Sequence, residues 1–223
     1  MGAPRTVGRR ARRLLETAAF ALVAFAPQLW SQPGVADSDI KTYLYTDPGT
    51  FLRQSVSMWD PTVGLGTVTH EQIGYLWPLG PFFWLVHALG IPLWVGQRLW
   101  VGALLFAAGT GVLYLCRTLG LEGPGRIVAG AVYMLSPYFL QDVGRISALL
   151  LPYAGLGWMV AFVIRSVRAG GWRYPALFAL VWLTISGNNA SGPLYAAVAP
   201  LLWLLYALLV TREHTVRQAL SAL

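Results

Sequence analysis

The chain has 223 residues, of which 56% are hydrophobic, 13% are aromatic and 11% are charged, and its mean hydropathy is +0.56. Soluble domains are about 45–50% apolar, so this composition excludes an ordinary soluble domain and indicates an integral membrane protein. The formal charge is +7, but the 15 arginines and single lysine are scattered between apolar runs, which excludes the continuous basic face of a nucleic-acid-binding protein.

Six apolar runs predict membrane-spanning helices, each of which requires roughly 17 to 25 residues. In chain order the runs are residues 14–30, 95–116, 127–141, 146–164, 174–185 and 194–210. The single cysteine, Cys116, lies in the second run, so an intrachain disulfide and a Cys/His zinc cluster are excluded and a buried packing role is expected. The predicted fold class is therefore an all-α polytopic membrane bundle with about six spans.

The first run follows a basic region and contains an Ala-Phe-Ala sequence ending at residue 26, as a secretory signal does. Its apolar character continues to Trp30, which favours a retained first helix over a cleaved signal. Because Lys and Arg concentrate on the cytoplasmic side of membranes, we expect the N-terminus to be cytoplasmic.

A seventh apolar stretch, residues 76–94, contains three prolines, and the loop charges indicate whether it crosses the membrane. If it does not cross, twelve basic residues lie inside and four outside, whereas crossing would move seven of the twelve outside. The positive-inside rule favours the first arrangement. We therefore predict an interfacial helix pair broken at residues 90–92, within a large outer, periplasmic loop at residues 31–94.

The outer loop opens with Asp37-Ser38-Asp39, seven to nine residues after the first helix, at the level of lipid headgroups. A carboxylate there can act as general base toward a sugar hydroxyl. One base suffices when the leaving group is a polyprenyl phosphate, which departs as a stable anion, unlike the leaving group of a glycosidase. Lys41 and Arg145 suit the phosphate, although Asp-x-Asp also occurs by chance and loop acids are usually solvated.

Further along the loop, Asp47-Pro48 predicts a capped helix over residues 48–58, ended by Trp59-Asp60-Pro61. His70, Tyr75 and Trp77 belong to a segment of aromatics, glycines and prolines. This segment either grips a polyprenyl chain or sugar, or anchors the loop at the membrane surface. Arg145, in a second outer turn, either contacts phosphate or pairs with Asp142.

Several motifs together resemble the AftD family of α-(1→3)-arabinofuranosyltransferases, which are membrane enzymes of the GT-C class. These motifs are Asp39-Ile40-Lys41, Asp47-Pro48-Gly49 with Phe51-Leu52, Trp59-Asp60-Pro61, the run from Gly74 to Phe83, and Gln97-Arg98-Leu99-Trp100. The resemblance covers nearly the whole chain. It identifies residues 1–223 as the N-terminal transmembrane region of a longer glycosyltransferase, so we expect the chain to be a fragment.

The resemblance implies a decaprenyl-phosphoryl-arabinofuranose donor and an arabinan acceptor, in arabinogalactan or lipoarabinomannan, with inverting formation of α-1,3 branches at the plasma membrane. Asp39 inherits the role of catalytic base, and Lys41, Asp37, Arg145, Tyr75, Trp77 and His70 are the candidate substrate-binding residues. No cofactor or metal is expected. The chain departs from the family pattern at Ile40, where a threonine is usual, and at Tyr43, where an acid is usual.

Two other functions remain open on the sequence. The first is another polyprenyl-phosphate-sugar glycosyltransferase, such as a mannosyltransferase. The second is a noncatalytic transporter or lipid-binding subunit. Transporters place ionisable residues at mid-membrane on broken helices, whereas the middles of the six predicted spans lack Asp, Glu, Lys and Arg.

Overall fold

A computed structural model describes residues 4–37, 42–61, 63–68, 73–187 and 191–211 of the chain. Three of the predicted site residues, Asp39, Lys41 and His70, lie outside the described residues. The other four, Asp37, Tyr75, Trp77 and Arg145, lie within them.

The described helices follow one another along most of the chain. They are α1 (Pro4–Trp30), α2 (Thr42–Thr46), α3 (Pro48–Ser55), α4 (Leu79–Ala88), α5 (Leu93–Thr118), α6 (Gly125–Met134), α7 (Pro137–Asp142), α8 (Leu150–Ala169), α9 (Arg173–Ser186) and α10 (Ser191–Tyr206). Strands β1 (Trp59–Asp60) and β2 (Thr67–Val68) pair antiparallel, with Trp59 opposite Val68. A 3-10 turn, Ser147–Leu149, precedes α8, and a π turn, Ala207–Thr211, follows α10.

Helices α5 and α8 form the centre of the bundle. Helices α1 and α6 pack on α5, and α9 and α10 pack on α8. The central pair comes into backbone contact, because a Cβ atom at Gly157 would lie 2.7 Å from the carbonyl carbon of Gly111. The Trp158 indole beside it donates a 2.9 Å hydrogen bond to the Ala107 carbonyl of α5. Small residues at a crossing allow this close approach in membrane helices, where packing drives association.

Three helical stretches of the described chain are long and apolar enough to cross a membrane, namely Leu93–Thr118, Ser147–Ala169 and Ser191–Val210. They coincide with the second, fourth and sixth predicted runs. The remaining three runs are also helical but are not among these three stretches. Helix α1 begins in an arginine-rich stretch and contains Glu16, and α6 and α9 have only 10 and 14 residues. The protein is thus a helical membrane protein, and the count of six spans stays a prediction.

Three local predictions, a helix cap, a helix break and a buried cysteine, are confirmed. Asp47 caps α3 by accepting a 3.0 Å hydrogen bond from the Thr50 amide, and Pro48 occupies the first helical turn. The break at residues 90–92 separates α4 from α5, with Gly90 at a φ of +67°, a conformation that glycine adopts without strain. Cys116 is buried, as expected.

Three details differ from the sequence predictions. Helix α3 ends at Ser55 instead of residue 58. Residues 59–60 then pair with β2, so this segment contains a short two-stranded ladder that the all-α prediction did not include. The third run is split into α6 and α7 because Pro137 lacks an amide hydrogen and Ser136 caps the new helix. The second helix of the predicted interfacial pair is not a separate helix, because residues 93–94 form the first turn of α5.

The backbone contact between α5 and α8 predicts that Gly157→Ala lowers the free energy of unfolding by about 1–3 kcal/mol, because the added methyl overpacks the crossing. The measurement is the thermal unfolding midpoint of the protein in detergent. Gly125→Ala is the matched control, since a Cβ at that helical glycine meets no atom within 4 Å. Equal midpoints for the two variants would contradict the proposed crossing.

The cap of α3 predicts a pH-dependent stability for this helix. The hydrogen bond from the Thr50 amide lowers the pKa of Asp47 below its ordinary value, so folding is favoured by the ionised form. The contribution is complete above about pH 4 and is lost as the pH falls through the folded pKa. Hydrogen exchange of the α3 peptide, corrected for intrinsic rates, is expected to accelerate on acidification in the wild type but not in Asp47→Asn, which retains a non-titrating cap.

Candidate functional site

The candidate site lies at one end of the bundle, formed by the N-terminal turns of α5, the segment after α1 and the turn before α8. We call it the outer end, after the topology predicted from the loop charges. Helix α1 ends at Trp30, and the chain reverses through Gln32 and Gly34, whose φ angles of 41° and 85° are both left-handed. Residues 35–37 then have no regular secondary structure. This turn brings Asp37 back against α5, two residues before the predicted base Asp39.

Gln97 fixes the backbone at Asp37 by two hydrogen bonds. The Asp37 amide donates to Gln97 Oε1 at 2.8 Å, and Gln97 Nε2 donates to the Asp37 carbonyl at 3.1 Å. A side-chain amide presents a donor and an acceptor side by side, so it satisfies both backbone groups of one residue. The position of Asp37 is therefore set by a buried side chain of the long apolar helix α5.

Arg98 holds the side chain of the same aspartate. Its Nη1 forms an ion pair with Asp37 Oδ2, and its Nη2 lies 3.4 Å from the Val35 carbonyl. The arginine side chain is only 7% exposed, whereas the Asp37 carboxylate retains 32% exposure. Burial of an arginine is costly without a partner, so this pair couples the folding of α5 to the position of the acidic segment. Asp37, Gln97 and Arg98 together form what we call the Asp37 clamp.

Trp100 connects the same stretch of α5 to the second outer turn. Its indole Nε1 donates a 3.1 Å hydrogen bond to Ser147 Oγ, and both residues are buried. Ser147 begins the 3-10 turn two residues after Arg145. One turn of α5 therefore contacts the segment that carries Asp37 and also the turn that carries Arg145.

Arg145 is exposed, and its amide donates a 3.1 Å hydrogen bond to the Asp142 carbonyl within the turn. Among the ion pairs of the described residues, none joins the Arg145 and Asp142 side chains. The structure therefore does not support the side-chain pairing that was one of two alternatives. The guanidinium is left at the outer surface, where an anionic ligand can reach it.

Tyr75 and Trp77 occupy different environments although they are two residues apart. Tyr75 is buried and its ring meets Phe51 of α3 edge-on, with 5.9 Å between the ring centroids. Trp77 is 45% exposed and its indole donates a 3.2 Å hydrogen bond to Thr184 Oγ1 of α9. Tyr75 thus packs the loop against α3, while the exposed face of Trp77 is accessible to a ligand or lipid.

The described residues offer no metal site, since no three His, Cys, Asp or Glu side chains come together in this part of the chain. The sequence did not identify Gln97 and Arg98 as candidate site residues. They were noted only as part of a motif that resembles the family, and Arg98 was counted among the basic residues predicted to lie outside. A signal was present. An arginine inside an apolar run needs a carboxylate partner, and ionisable residues in such runs are functional candidates.

Comparison with protein families gives a match over residues 20–222 to the N-terminal GT-C domain of α-(1→3)-arabinofuranosyltransferase. The chain is 34% identical over 186 residues to the α-(1→3)-arabinofuranosyltransferase of Mycobacterium tuberculosis, a match that covers 81% of this chain and 13% of that protein. It is 36% identical over 137 residues to the enzyme of the same name from Mycolicibacterium smegmatis, covering 61% of this chain and 10% of that protein.

The chain also resembles solved structures of a mycobacterial arabinofuranosyltransferase. The cryo-EM structure of arabinofuranosyltransferase AftD from mycobacteria matches with a TM-score of 0.81 and 29% identity, over 92% of this chain and 16% of that one. A mutant of that protein matches with a TM-score of 0.79 and 32% identity, over 85% of this chain and 15% of that one. The chain therefore spans about one seventh of the length of the proteins it resembles.

The Asp37 clamp predicts that Gln97→Leu loosens the segment that follows α1. Both hydrogen bonds to Asp37 are lost, so hydrogen exchange of a peptide covering residues 31–37 is expected to accelerate by about tenfold, as for a loss near 1.4 kcal/mol. Gln141→Leu, at an exposed position on α7, is the matched control. Unchanged exchange in Gln97→Leu would show that the clamp does not hold the segment.

Proposed function

The chain belongs to the family of N-terminal GT-C domains of α-(1→3)-arabinofuranosyltransferases, and from this premise we propose that it forms the donor-facing part of such an enzyme. The proposed donor is decaprenyl-phosphoryl-arabinofuranose, and the proposed acceptor is a cell-wall arabinan. The proposed orientation follows the positive-inside rule, with the N-terminus cytoplasmic and the outer end periplasmic. The chain spans 13% of the Mycobacterium tuberculosis relative, so the activity belongs to the longer protein.

The Asp37 clamp is the main structural support for this proposal. A general base must be held within hydrogen-bond reach of the hydroxyl it deprotonates. Gln97 and Arg98 fix the residue two positions before Asp39 by its amide, its carbonyl and its carboxylate. Such a clamp is useful if the chain beyond it carries a group that must be positioned accurately.

The clamp also separates the roles of the two aspartates. The Asp37 carboxylate pairs with a buried guanidinium, which occupies one of its oxygens. We therefore assign Asp37 a positioning role and Asp39 the catalytic role. Direct substrate contact by Asp37 would have to use the 32% of its side chain that remains exposed.

In the proposed reaction, Asp39 accepts the proton of an acceptor hydroxyl while the hydroxyl oxygen attacks the anomeric carbon of the arabinofuranose. The bond from that carbon to the phosphate oxygen breaks on the opposite face, so the configuration inverts and polyprenyl phosphate leaves with the bonding electrons. Positive charge beside the departing phosphate lowers the barrier. Lys41 and the exposed Arg145 are the proposed sources of that charge, and His70 and Trp77 are proposed contacts of the sugar or the lipid.

We expect Asp39→Asn in the full-length enzyme to lower kcat/KM by at least about a hundredfold, because the base is lost while the side-chain volume is kept. Asp37→Asn is expected to cause a smaller loss, since it weakens the pair with Arg98 but leaves the base. Asp47→Asn, which retains the cap of α3, serves as the matched control and should transfer normally. The assay measures transfer of labelled arabinofuranose from the decaprenyl-phosphate donor to a short arabinan.

Normal transfer by Asp39→Asn would rule out Asp39 as the base. A parallel reaction with a mannose-charged polyprenyl phosphate tests the mannosyltransferase alternative, which predicts preferential use of that donor. Transfer from neither donor by the full-length wild type would favour a noncatalytic lipid-linked-sugar transporter or binding subunit.

A further inference from the structure

The opposite end of the bundle contains a second charged cluster that the proposed reaction does not use. Glu16 of α1 is buried, with a side chain only 6% exposed, and it receives three guanidinium groups. Arg117 of α5 donates to it at 2.6 Å, Arg126 of α6 at 2.5 Å, and Arg12, one turn earlier in α1, at 3.1 Å. Three cations on one carboxylate leave an excess of positive charge at this end of the bundle.

A cavity of about 270 Å³ adjoins this cluster. Five arginines line it, namely Arg12, Arg13, Arg117, Arg126 and Arg165. The acid in its wall is Glu122, and Glu16 adds the second negative charge nearby. Five positive charges therefore face two negative ones around this space, which we call the arginine cavity. Clefts lined by charge of one sign concentrate ligands of the opposite sign.

Arg126 carries a donor that the protein leaves unsatisfied. Its side chain is only 9% exposed, yet its Nε is buried and has no hydrogen-bond partner in the described part of the chain. A buried guanidinium N–H without an acceptor costs free energy, and Glu16 already occupies Nη2 of the same group. Arg126 is also a residue of the cavity wall, so its guanidinium contributes positive charge to this space.

Arg165 is held at the cavity by groups that leave most of its charge uncompensated. Its guanidinium lies 5.0 Å from the Tyr114 ring centroid and 5.7 Å from that of Tyr174. Its Nε donates to Thr118 Oγ1 at 3.1 Å. These neutral partners fix the orientation of the guanidinium before any ligand binds, which reduces the entropy lost on binding.

We propose that the arginine cavity binds a phosphate group. Several planar guanidinium forks converging on one space suit a ligand with three or four oxygens around one centre, and arginine binds phosphate through paired hydrogen bonds. Arg117 follows Gln97 by 20 residues of one helix, so the cavity lies about 30 Å from the Asp37 clamp. It is a separate site, at the membrane face that the positive-inside rule assigns to the cytoplasm.

The phosphate can come from an anionic phospholipid headgroup or from a soluble phosphate ester, and the test separates these sources. The full chain in neutral detergent is titrated with phosphatidylglycerol, with phosphatidylcholine as the zwitterionic comparison, and binding is read by native mass spectrometry. A second arm titrates inorganic pyrophosphate by calorimetry. Binding in the first arm identifies a lipid ligand, binding in the second a soluble one, and binding in neither overturns the proposal.

Four variants test the location of the site. Arg126→Gln is expected to weaken binding by about tenfold or more, because a guanidinium charge of the cavity wall is lost. Arg13→Gln, exposed and lining the cavity, is expected to weaken it roughly threefold. Glu122→Gln removes a negative charge from the wall and is expected to strengthen it. Arg10→Gln makes the same charge change on the same helix outside the cavity wall, and should leave binding unchanged.

Arg13, Glu122 and Arg10 are exposed, so their substitutions test the proposal even if Arg126→Gln fails to fold. Thermal unfolding confirms that each variant remains native. Equal weakening by Arg10→Gln and Arg13→Gln would show that general surface charge, not the cavity, attracts the ligand, and this would overturn the proposal. Weaker binding by Glu122→Gln would do the same.

Discussion

A buried guanidinium needs a carboxylate, and this requirement determines how α1 is joined to α5. Arg98 near the start of α5 pairs with Asp37, and Arg117 near its end pairs with Glu16. Glu16 lies within α1, and Asp37 follows the turn after it, so the acids are 21 residues apart on one segment and the arginines 19 apart on the other. The helices are therefore fixed in direction and register at both ends, while Phe20 and Phe25 of α1 fill the space over Gly109 and Gly102 between them.

The two ends of the bundle differ in the net charge that remains after ion pairing. At the outer end one arginine meets one aspartate, so charge is balanced and the pair serves to hold a backbone segment in place. At the opposite end three arginines share one glutamate, and the surplus positive charge lies beside the arginine cavity. The same interaction is therefore the basis of both proposals, a positioned segment at one end of the bundle and an anion site at the other. The difference follows from the number of cations alone.

The features that the sequence predicted correctly are governed by neighbouring residues. The cap at Asp47 and the break at Gly90 each depend on a few adjacent positions. The features it missed depend on distant ones, since Arg98 lies 61 residues from Asp37 and Arg126 lies 110 from Glu16. A charge count divided these arginines between two groups of loops, but only packing could pair them with particular acids. The β1 and β2 ladder was missed because two-residue strands carry no detectable alternation.

The double attachment of α1 to α5 also bears on how the protein responds to its bilayer. A single helix adapts to a thicker or thinner membrane by changing its tilt, at a small cost in free energy per ångström of mismatch. Tilting of α1 relative to α5 strains the Glu16–Arg117 pair within α1 and the Asp37–Arg98 pair in the segment that follows it. Changes in membrane thickness must then be met by deformation of the lipid around the α1 and α5 pair, or by movement of helices that carry no such attachment.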